Sequence, residues 1–131
     1  MGEKIRLYLS HPSTRRKDIR KKQKEIEKKT IIKFVNPFDY EFGTCFDKEE
    51  SNWVVKRDLM FIDITDGILA FMDKKDIKCG TCMEIFYAYL RGKPVFVITK
   101  DMENHPWIQV CATKIYKNYK EFIKEFENEE G

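Results

Sequence analysis

Short apolar segments separated by charged segments are the feature of this sequence that most limits what it can fold into. Four of them have the length and apolar content of buried strands, and a shorter one follows near residues 112–116. The four are residues 4–9, 30–37, 66–72 and 93–99. Buried strands of this kind, joined by helices, favour a mostly parallel sheet with helices on both faces.

The intervening segments carry helical patterns. Ile19 and Ile26, seven residues apart, form a thin apolar stripe in a charged stretch, as in a helix that lies on a sheet. Further helices are predicted over 51–65 with Ser51 or Asn52 as N-cap, over 81–91 with Gly92 as its end, and after Asn118, which forms a capping box with Glu121. The order β-α-β-loop-α-β-α-β-β-α predicts a three-layer α/β/α fold with a mostly parallel five-stranded sheet, flavodoxin-like or Rossmann-like.

Length and composition predict one soluble domain over residues 1–131. The 131 residues suffice for one core, and 42% are apolar while 36% are charged. No apolar run is long enough for a membrane helix, and the N-terminus does not resemble a signal peptide, so the expected location is the cytoplasm. The net charge is only +3, but the charges are unevenly distributed, with a basic segment at 15–29 and an acidic segment at 125–130. We interpret the basic segment as a solvated helix face and expect no nucleic acid polymer as partner.

The stretch KCGTCME, residues 78–84, allows three interpretations. Thr81 and Glu84 have the spacing of a capping box that satisfies backbone amides at a helix start. Cys79 and Cys82 form a C-x-x-C pair, which suits redox chemistry or, with Cys45 and Cys111, a zinc site. Alternatively Glu84 is a nucleophile, since a carboxylate near a helix start is favoured in its ionised form and can trap an oxocarbenium-like sugar carbon.

A nucleophilic Glu84 needs a second carboxyl group. A departing nucleobase leaves more easily when its ring is protonated or hydrogen-bonded, so an acid must face the nucleophile across the sugar. Asp58, Asp63 and Asp66 are the candidates nearest in sequence.

At this point the sequence resembles the nucleoside 2-deoxyribosyltransferases and the related nucleoside 5'-monophosphate N-glycosidases. The resemblance covers most of the chain: Tyr8 in LYLSHPS, Asp58 and Asp66 in RDLMFIDITDGILA, Gly80 four residues before Glu84, and the run EIFYAYLRGKPVFVI. It implies that Glu84 attacks the anomeric carbon, that Asp58 assists and recognises the base, and that Tyr8 helps to hold the nucleophile or the sugar. It also implies that no metal or organic cofactor is required. For Asp66 a structural role at the start of a strand competes with a functional one.

Lys78 departs from the family pattern, in which many transferases have Asp six residues before the nucleophile. A lysine near the 5' end of the sugar suits a phosphate, as the monophosphate-cleaving relatives bind, unless Asp76 replaces the missing acid. Donors between the first strand and its helix, with Arg16 among them, could add to such an anion site, although Ser13 or Thr14 as a helix cap and solvated arginines explain them equally well. The predicted substrate-binding residues are Ser10, His11, Ser13, Arg15, Lys78, Gly80 and Asp66.

The expected partners are small molecules and further copies of the chain. The resemblance implies a nucleoside or nucleoside 5'-monophosphate substrate, with a free nucleobase or water as acceptor of the 2-deoxyribosyl unit. It also places the segment NHPWIQV, residues 104–110, where family members contact a neighbouring subunit, which implies a homo-oligomer. Two other functions stay open: a non-catalytic nucleotide-binding module with the same fold, and a C-x-x-C redox protein.

Overall fold

The five strands of this protein form a single parallel sheet. The computed structural model describes residues 4–40 and 47–127, and all structural statements below concern these ranges. The strands are β1 (Ile5–Ser10), β2 (Ile32–Val35), β3 (Gly67–Phe71), β4 (Val95–Ile98) and β5 (Lys114–Tyr116). The helices are α1 (Arg16–Lys29), α2 (Lys48–Ile64), α3 (Cys79–Leu90), α4 (Pro106–Cys111) and α5 (Tyr119–Phe126). Short 3-10 segments lie at Ser13–Arg15, Pro37–Tyr40 and Lys74–Asp76.

The strand order is β2-β1-β3-β4-β5, and every neighbouring pair is parallel. This confirms the predicted α/β class and its flavodoxin-like alternative, whose order is the same. In such a sheet all carboxyl ends of the strands share one edge. The strand order reverses between β1 and β3, since β2 lies on one side of β1 and the later strands lie on the other, and open α/β sheets bind ligands at such a switch point.

Two apolar cores lie on the two faces of the sheet. Alternation along β1 divides its side chains, because successive residues of a strand point to opposite faces. Leu7 and Leu9 pack with Ile19 and Ile26 of α1, and α5 completes that core. Tyr8 belongs to the opposite core, which α2, α3 and α4 cover. The predicted stripe of Ile19 and Ile26 is therefore confirmed, with both side chains 0% exposed.

Two helix starts differ from the predictions. Helix α2 begins three residues early, because Asp47 and Glu50 form a complete capping box ahead of the predicted caps Ser51 and Asn52. The capping box predicted at Thr81 and Glu84 is also wrong. Helix α3 already begins at Cys79 and has no side-chain cap, so Thr81 is buried inside the first turn and Glu84 lies in the second.

Two helix ends agree with the predictions. Gly92 follows α3 with a φ of +70°, a left-handed conformation that costs a glycine little, and its N–H donates to the Tyr89 carbonyl. The Asn118 side chain accepts a hydrogen bond from the Glu121 N–H at the start of α5.

Helix α4 was not predicted, since its segment was interpreted as a turn before the last strand. Its signals are His105, whose Nδ1 accepts from the Trp107 N–H as an N-cap, and Pro106 at the first helical position. Within the described ranges no helix combines the length and apolar character needed to cross a membrane.

Candidate active site

Both carboxylate oxygens of Glu84 accept hydrogen bonds from side chains of β1. The Tyr8 hydroxyl donates to Oε2 at 2.7 Å, and the Ser10 hydroxyl donates to Oε1 at 2.6 Å. Tyr8 is 0% exposed and Ser10 is 1% exposed, whereas Glu84 itself is partly exposed. Hydrogen bonds of this length to a carboxylate stabilise its ionised form. The arrangement holds the Glu84 carboxylate in one orientation at the carboxyl edge of the sheet.

The period of two residues in β1 explains why Tyr8 and Ser10 act together. Both point to the face that α3 covers, and β1 lies beside β3, which leads directly into α3. Glu84 comes from the second turn of that helix, and the next residue, Ile85, packs into the core and fixes the helix rotation. The predicted contact between Tyr8 and Glu84 is therefore present. Ser10, predicted to bind substrate, also bonds to Glu84.

Asp58 of α2 lies beside the same tyrosine hydroxyl. A hydrogen bond with Tyr8 lowers the pKa of the Asp58 carboxyl group, and the negative charges of Glu84 and Asp58 both raise the pKa of Tyr8. The Tyr8 hydroxyl thus connects the two acidic residues, which come from different helices 26 positions apart in the sequence. The juxtaposition predicted for Asp58 and Glu84 around one site is consistent with this geometry.

Arg57 is the neighbour that sequence reasoning missed. Its side chain is only 7% exposed and its Nε and Nη2 atoms donate to Asp58 Oδ1 at 3.0 and 2.8 Å. The same guanidinium donates to the Tyr40 carbonyl at 3.1 Å and lies over the ring of Trp53. Arg57 therefore orients Asp58 and ties α2 to the segment after β2. Adjacent Arg and Asp residues on a charged helix gave no signal for this role.

Burial raises the pKa values of two residues of the site, Tyr8 and Asp58. It raises the pKa of Tyr8 far above its ordinary range, and the neighbouring carboxylates of Glu84 and Asp58 raise it further. Tyr8 is therefore a neutral donor at physiological pH. Burial also raises the pKa of Asp58, although hydrogen bonds and the charge of Arg57 partly offset this. Asp58 accordingly keeps its proton to a higher pH than an exposed aspartate.

A family comparison decides the identity. The profile of the family described as nucleoside 2-deoxyribosyltransferase matches residues 7–129. The chain belongs to the nucleoside 2-deoxyribosyltransferase family. The match spans nearly the whole chain and includes Tyr8, Asp58 and Glu84, so it confirms the resemblance seen in the sequence. No curated protein matches the sequence closely enough to count as a relative.

Solved structures confirm the family fold for this deoxyribosyltransferase-like chain. A conserved protein from Enterococcus faecalis has a TM-score of 0.73 at 13% identity, with 93% of this chain and 96% of that chain covered. A 2-deoxyribosyltransferase from Bacillus psychrosaccharolyticus has a TM-score of 0.71 at 16% identity, with 90% of each chain covered. The CMP N-glycosidase of Clostridium botulinum has a TM-score of 0.53 at 16% identity, covering 92% and 95%.

His11 directly follows Ser10 in the sequence of this family member. It is 5% exposed, packs against the Phe38 ring at a centroid distance of 4.7 Å, and its Nδ1 lies 2.9 Å from the Pro12 carbonyl. Because a carbonyl can only accept, Nδ1 carries the proton in this contact. Burial lowers the pKa of His11, so the ring is neutral at physiological pH. Its Nε2 is buried without a hydrogen-bond partner among the described residues.

Three other predicted residues lie at the edge of the sheet where the carboxyl ends meet. Lys78 is the exposed N-cap residue of α3, and Gly80 lies in the first turn with open space where a Cβ would be. Ser13 is exposed and belongs to a cleft of about 640 Å³ at the start of α1, together with Arg16. The predicted helix cap at Ser13 or Thr14 is wrong, because α1 has no side-chain cap.

Arg15 and Asp66 lie apart from Glu84. Arg15 pairs with Asp73 at 3.3 Å and with Asp18 at 3.0 Å, and its guanidinium lies over Phe71 on the opposite face of the sheet. Asp66 lies at the amino end of β3, where its carboxylate accepts from the Arg6 N–H at 2.9 Å. The contact favours the structural alternative given above for Asp66.

The cysteines do not form a metal site within the described part of the chain, where no cluster of His, Cys, Asp and Glu could hold an ion. Cys79 and Cys82 are exposed free thiols, Cys111 is a buried free thiol, and Cys45 lies outside the described residues. Burial, with Cys79 nearby, raises the pKa of Cys82, which disfavours the thiolate that redox exchange requires.

Proposed function

We propose that this protein is an enzyme that cleaves the N-glycosidic bond of 2'-deoxynucleosides or their 5'-monophosphates through a covalent intermediate on Glu84. One observation carries the proposal: two buried hydroxyl donors hold both oxygens of the Glu84 carboxylate. A carboxylate with a capping role needs neither donor. The family membership and the activities for which two structural neighbours are named, deoxyribosyl transfer and CMP N-glycoside cleavage, support the same class of reaction.

The first step forms the glycosyl-enzyme. A Glu84 oxygen bonds to C1' of the sugar while the C1'–N bond breaks and its electron pair moves to the base. Asp58, which burial keeps protonated to higher pH, donates a proton or a hydrogen bond to the departing base. The single hydroxyl proton of Tyr8 is directed at Glu84 and is therefore not the proton that the base receives.

The second step releases the sugar. A nitrogen of another nucleobase, or a water molecule, attacks C1', the bond to Glu84 breaks with its electrons returning to the carboxylate, and Asp58 takes up the proton that the attacking group loses. Both steps require that Tyr8 and Ser10 keep the Glu84 carboxylate facing the sugar. No metal ion or organic cofactor takes part in this scheme.

Lys78 and Ser13 are the residues that we propose for a 5'-phosphate. Lys78 precedes Glu84 by six residues at the start of the same helix, and an ammonium there complements a phosphate charge. Arg15 is not retained in this role, since its guanidinium lies over Phe71 on the face of the sheet opposite Glu84. His11 is kept as a proposed substrate contact, and because its Nε2 is buried, this contact requires that nitrogen to become accessible when the substrate binds.

Incubation with individual deoxynucleosides and deoxynucleoside 5'-monophosphates, with and without a second base, tests the reaction. Exchange of bases indicates transfer, and release without exchange indicates hydrolysis. Glu84→Gln preserves shape and removes the nucleophilic charge, so turnover should vanish while circular dichroism stays unchanged. A rapidly quenched reaction should show a protein mass increase of one deoxyribosyl unit in the wild type and none in the variant. Tight nucleotide binding without turnover would instead identify a non-catalytic binding module.

A homo-oligomer remains a prediction. Helices α3 and α4 expose large apolar side chains next to the segment predicted to contact a neighbour: Met83, Phe86, Leu90, Trp107 and Val110. A contiguous group of exposed large apolar side chains commonly marks a protein–protein interface. Sedimentation velocity of the wild type and of Trp107→Glu would measure the assembly, and a monomeric wild type would rule it out.

A further inference from the structure

A second cavity lies at the carboxyl edge of the sheet, on the face opposite Glu84. It has a volume of about 330 Å³, at the lower end of the range of small-molecule sites. Its walls come from the ends of β3, β4 and β5, the loop after β1, and helices α1 and α5. The lining residues are Arg15, Lys22, Phe71, Asp73, Ile98, Lys100, Lys117, Asn118 and Tyr119.

The cavity and the Glu84 site are separated by the sheet. Phe71 and Ile98 belong to the core between the sheet and helices α1 and α5, whereas Tyr8 belongs to the core beneath α3. A ligand in this cavity therefore lies on the other side of β3 from the Glu84 carboxylate. The site is distinct from the proposed active site and does not depend on the proposed function.

Positive charge dominates the lining. Four of its side chains are cations, and Asp73 is its one acidic residue. Arg15 and Lys22 share the carboxylate of Asp18, which lies outside the cavity, at 3.0 and 3.2 Å. With both aspartates counted, an excess of two positive charges remains. A phosphate monoester or inorganic phosphate, at about −1.5 to −2, matches that excess.

Two lysines supply the uncompensated charge. Among the described residues no carboxylate lies within ion-pair distance of the ammonium groups of Lys100 and Lys117, whereas Lys22 and Arg15 have partners. Lys100 follows β4 and Lys117 follows β5, so the parallel sheet brings both to the same edge. Asp73 accepts from the Lys100 N–H at 2.8 Å and from Arg15, which fixes the mouth of the cavity.

We propose that this cavity binds a small phosphorylated anion through Arg15, Lys22, Lys100 and Lys117. The aromatic rings of Phe71 and Tyr119 line it, and Lys22 lies over both, at 5.9 and 5.3 Å. These rings offer a surface for the organic part of a sugar phosphate. The recognised chemistry is the phosphate group, whether it arrives as the free ion or as an ester.

Calorimetric titration with inorganic phosphate and with ribose 5-phosphate tests the site. The double variant Lys100→Gln/Lys117→Gln should bind each probe at least about a hundredfold more weakly than the wild type, because it loses two charge-assisted contacts. The matched control, Lys33→Gln/Lys56→Gln, loses the same charge at two exposed lysines outside the cavity lining and should bind as the wild type does. Raised salt should weaken binding to the wild type.

Three results would overturn the proposal. The wild type could fail to bind either probe at millimolar concentration, or the double variant could bind as tightly as the control. Alternatively Lys78→Gln could abolish binding while the double variant retains it, which would assign the phosphate to the Glu84 site. Tighter binding of ribose 5-phosphate than of phosphate would indicate an ester as the ligand, and equal binding would indicate the free ion.

Discussion

The hydrogen bond from Tyr8 to Glu84 yields the sharpest prediction about catalysis. Tyr8→Phe removes only the hydroxyl that donates to Oε2 at 2.7 Å and keeps the fully buried ring. A hydrogen bond to a charged group contributes about 1.5–3 kcal/mol. If the whole contribution orients the nucleophile for reaction, kcat should fall about 10- to 150-fold. Deleting the hydroxyl should also lower the free energy of unfolding by about 1–3 kcal/mol, so denaturant unfolding is measured beside kcat.

The assay is base release from the best substrate, with kcat and KM determined separately. Tyr116→Phe is the matched control, because Tyr116 is another buried tyrosine whose hydroxyl donates to a carboxylate, that of Glu125, on the opposite face of the sheet. The control should retain wild-type kcat. Wild-type kcat in Tyr8→Phe, or an equal loss in Tyr116→Phe, would refute the role assigned to this contact. With Ser10→Ala added to Tyr8→Phe, the losses should not be additive, since both hydroxyls hold the same carboxylate.

Asp58→Asn should lower kcat and remove the fall in rate that the wild type shows as rising pH deprotonates Asp58, whose pKa burial raises above the ordinary aspartate range; an unchanged descending limb in a pH–rate profile would contradict this. Gly67→Ala should destabilise the fold by about 1–3 kcal/mol in denaturant unfolding, because the new Cβ would lie 2.6 Å from the Pro94 carbonyl oxygen. Gly80→Ala should instead be neutral or stabilising by up to about 1 kcal/mol, since nothing lies within 4 Å of its Cβ position, and a raised KM in this stable variant would support the predicted contact of Gly80 with substrate.

Much of the fold follows from local patterns. The central strands were predictable because the strands of a covered parallel sheet are apolar on both faces, as the fully buried β3 illustrates. Helix α4 was missed because six residues are too few for a periodic pattern, although His105 and Pro106 carried its start signal. The start of α2 was misplaced because the stronger capping box at Asp47 and Glu50 lay within a segment interpreted as a loop.

The sequence by itself determined the strands and most of the helices, the likeness to the family and the candidate acids, because apolar periodicity and residue spacing are local properties of the chain. Only the tertiary structure decided which residues meet. Tyr8 and Ser10 reach Glu84 across 76 and 74 positions, a contact that depends on the order and register of β1 and β3. Arg15, next to these residues in sequence, turns instead to Asp73 on the other face. The physical reason is that side chains along a strand alternate between the two faces of the sheet, and different helices pack on each face.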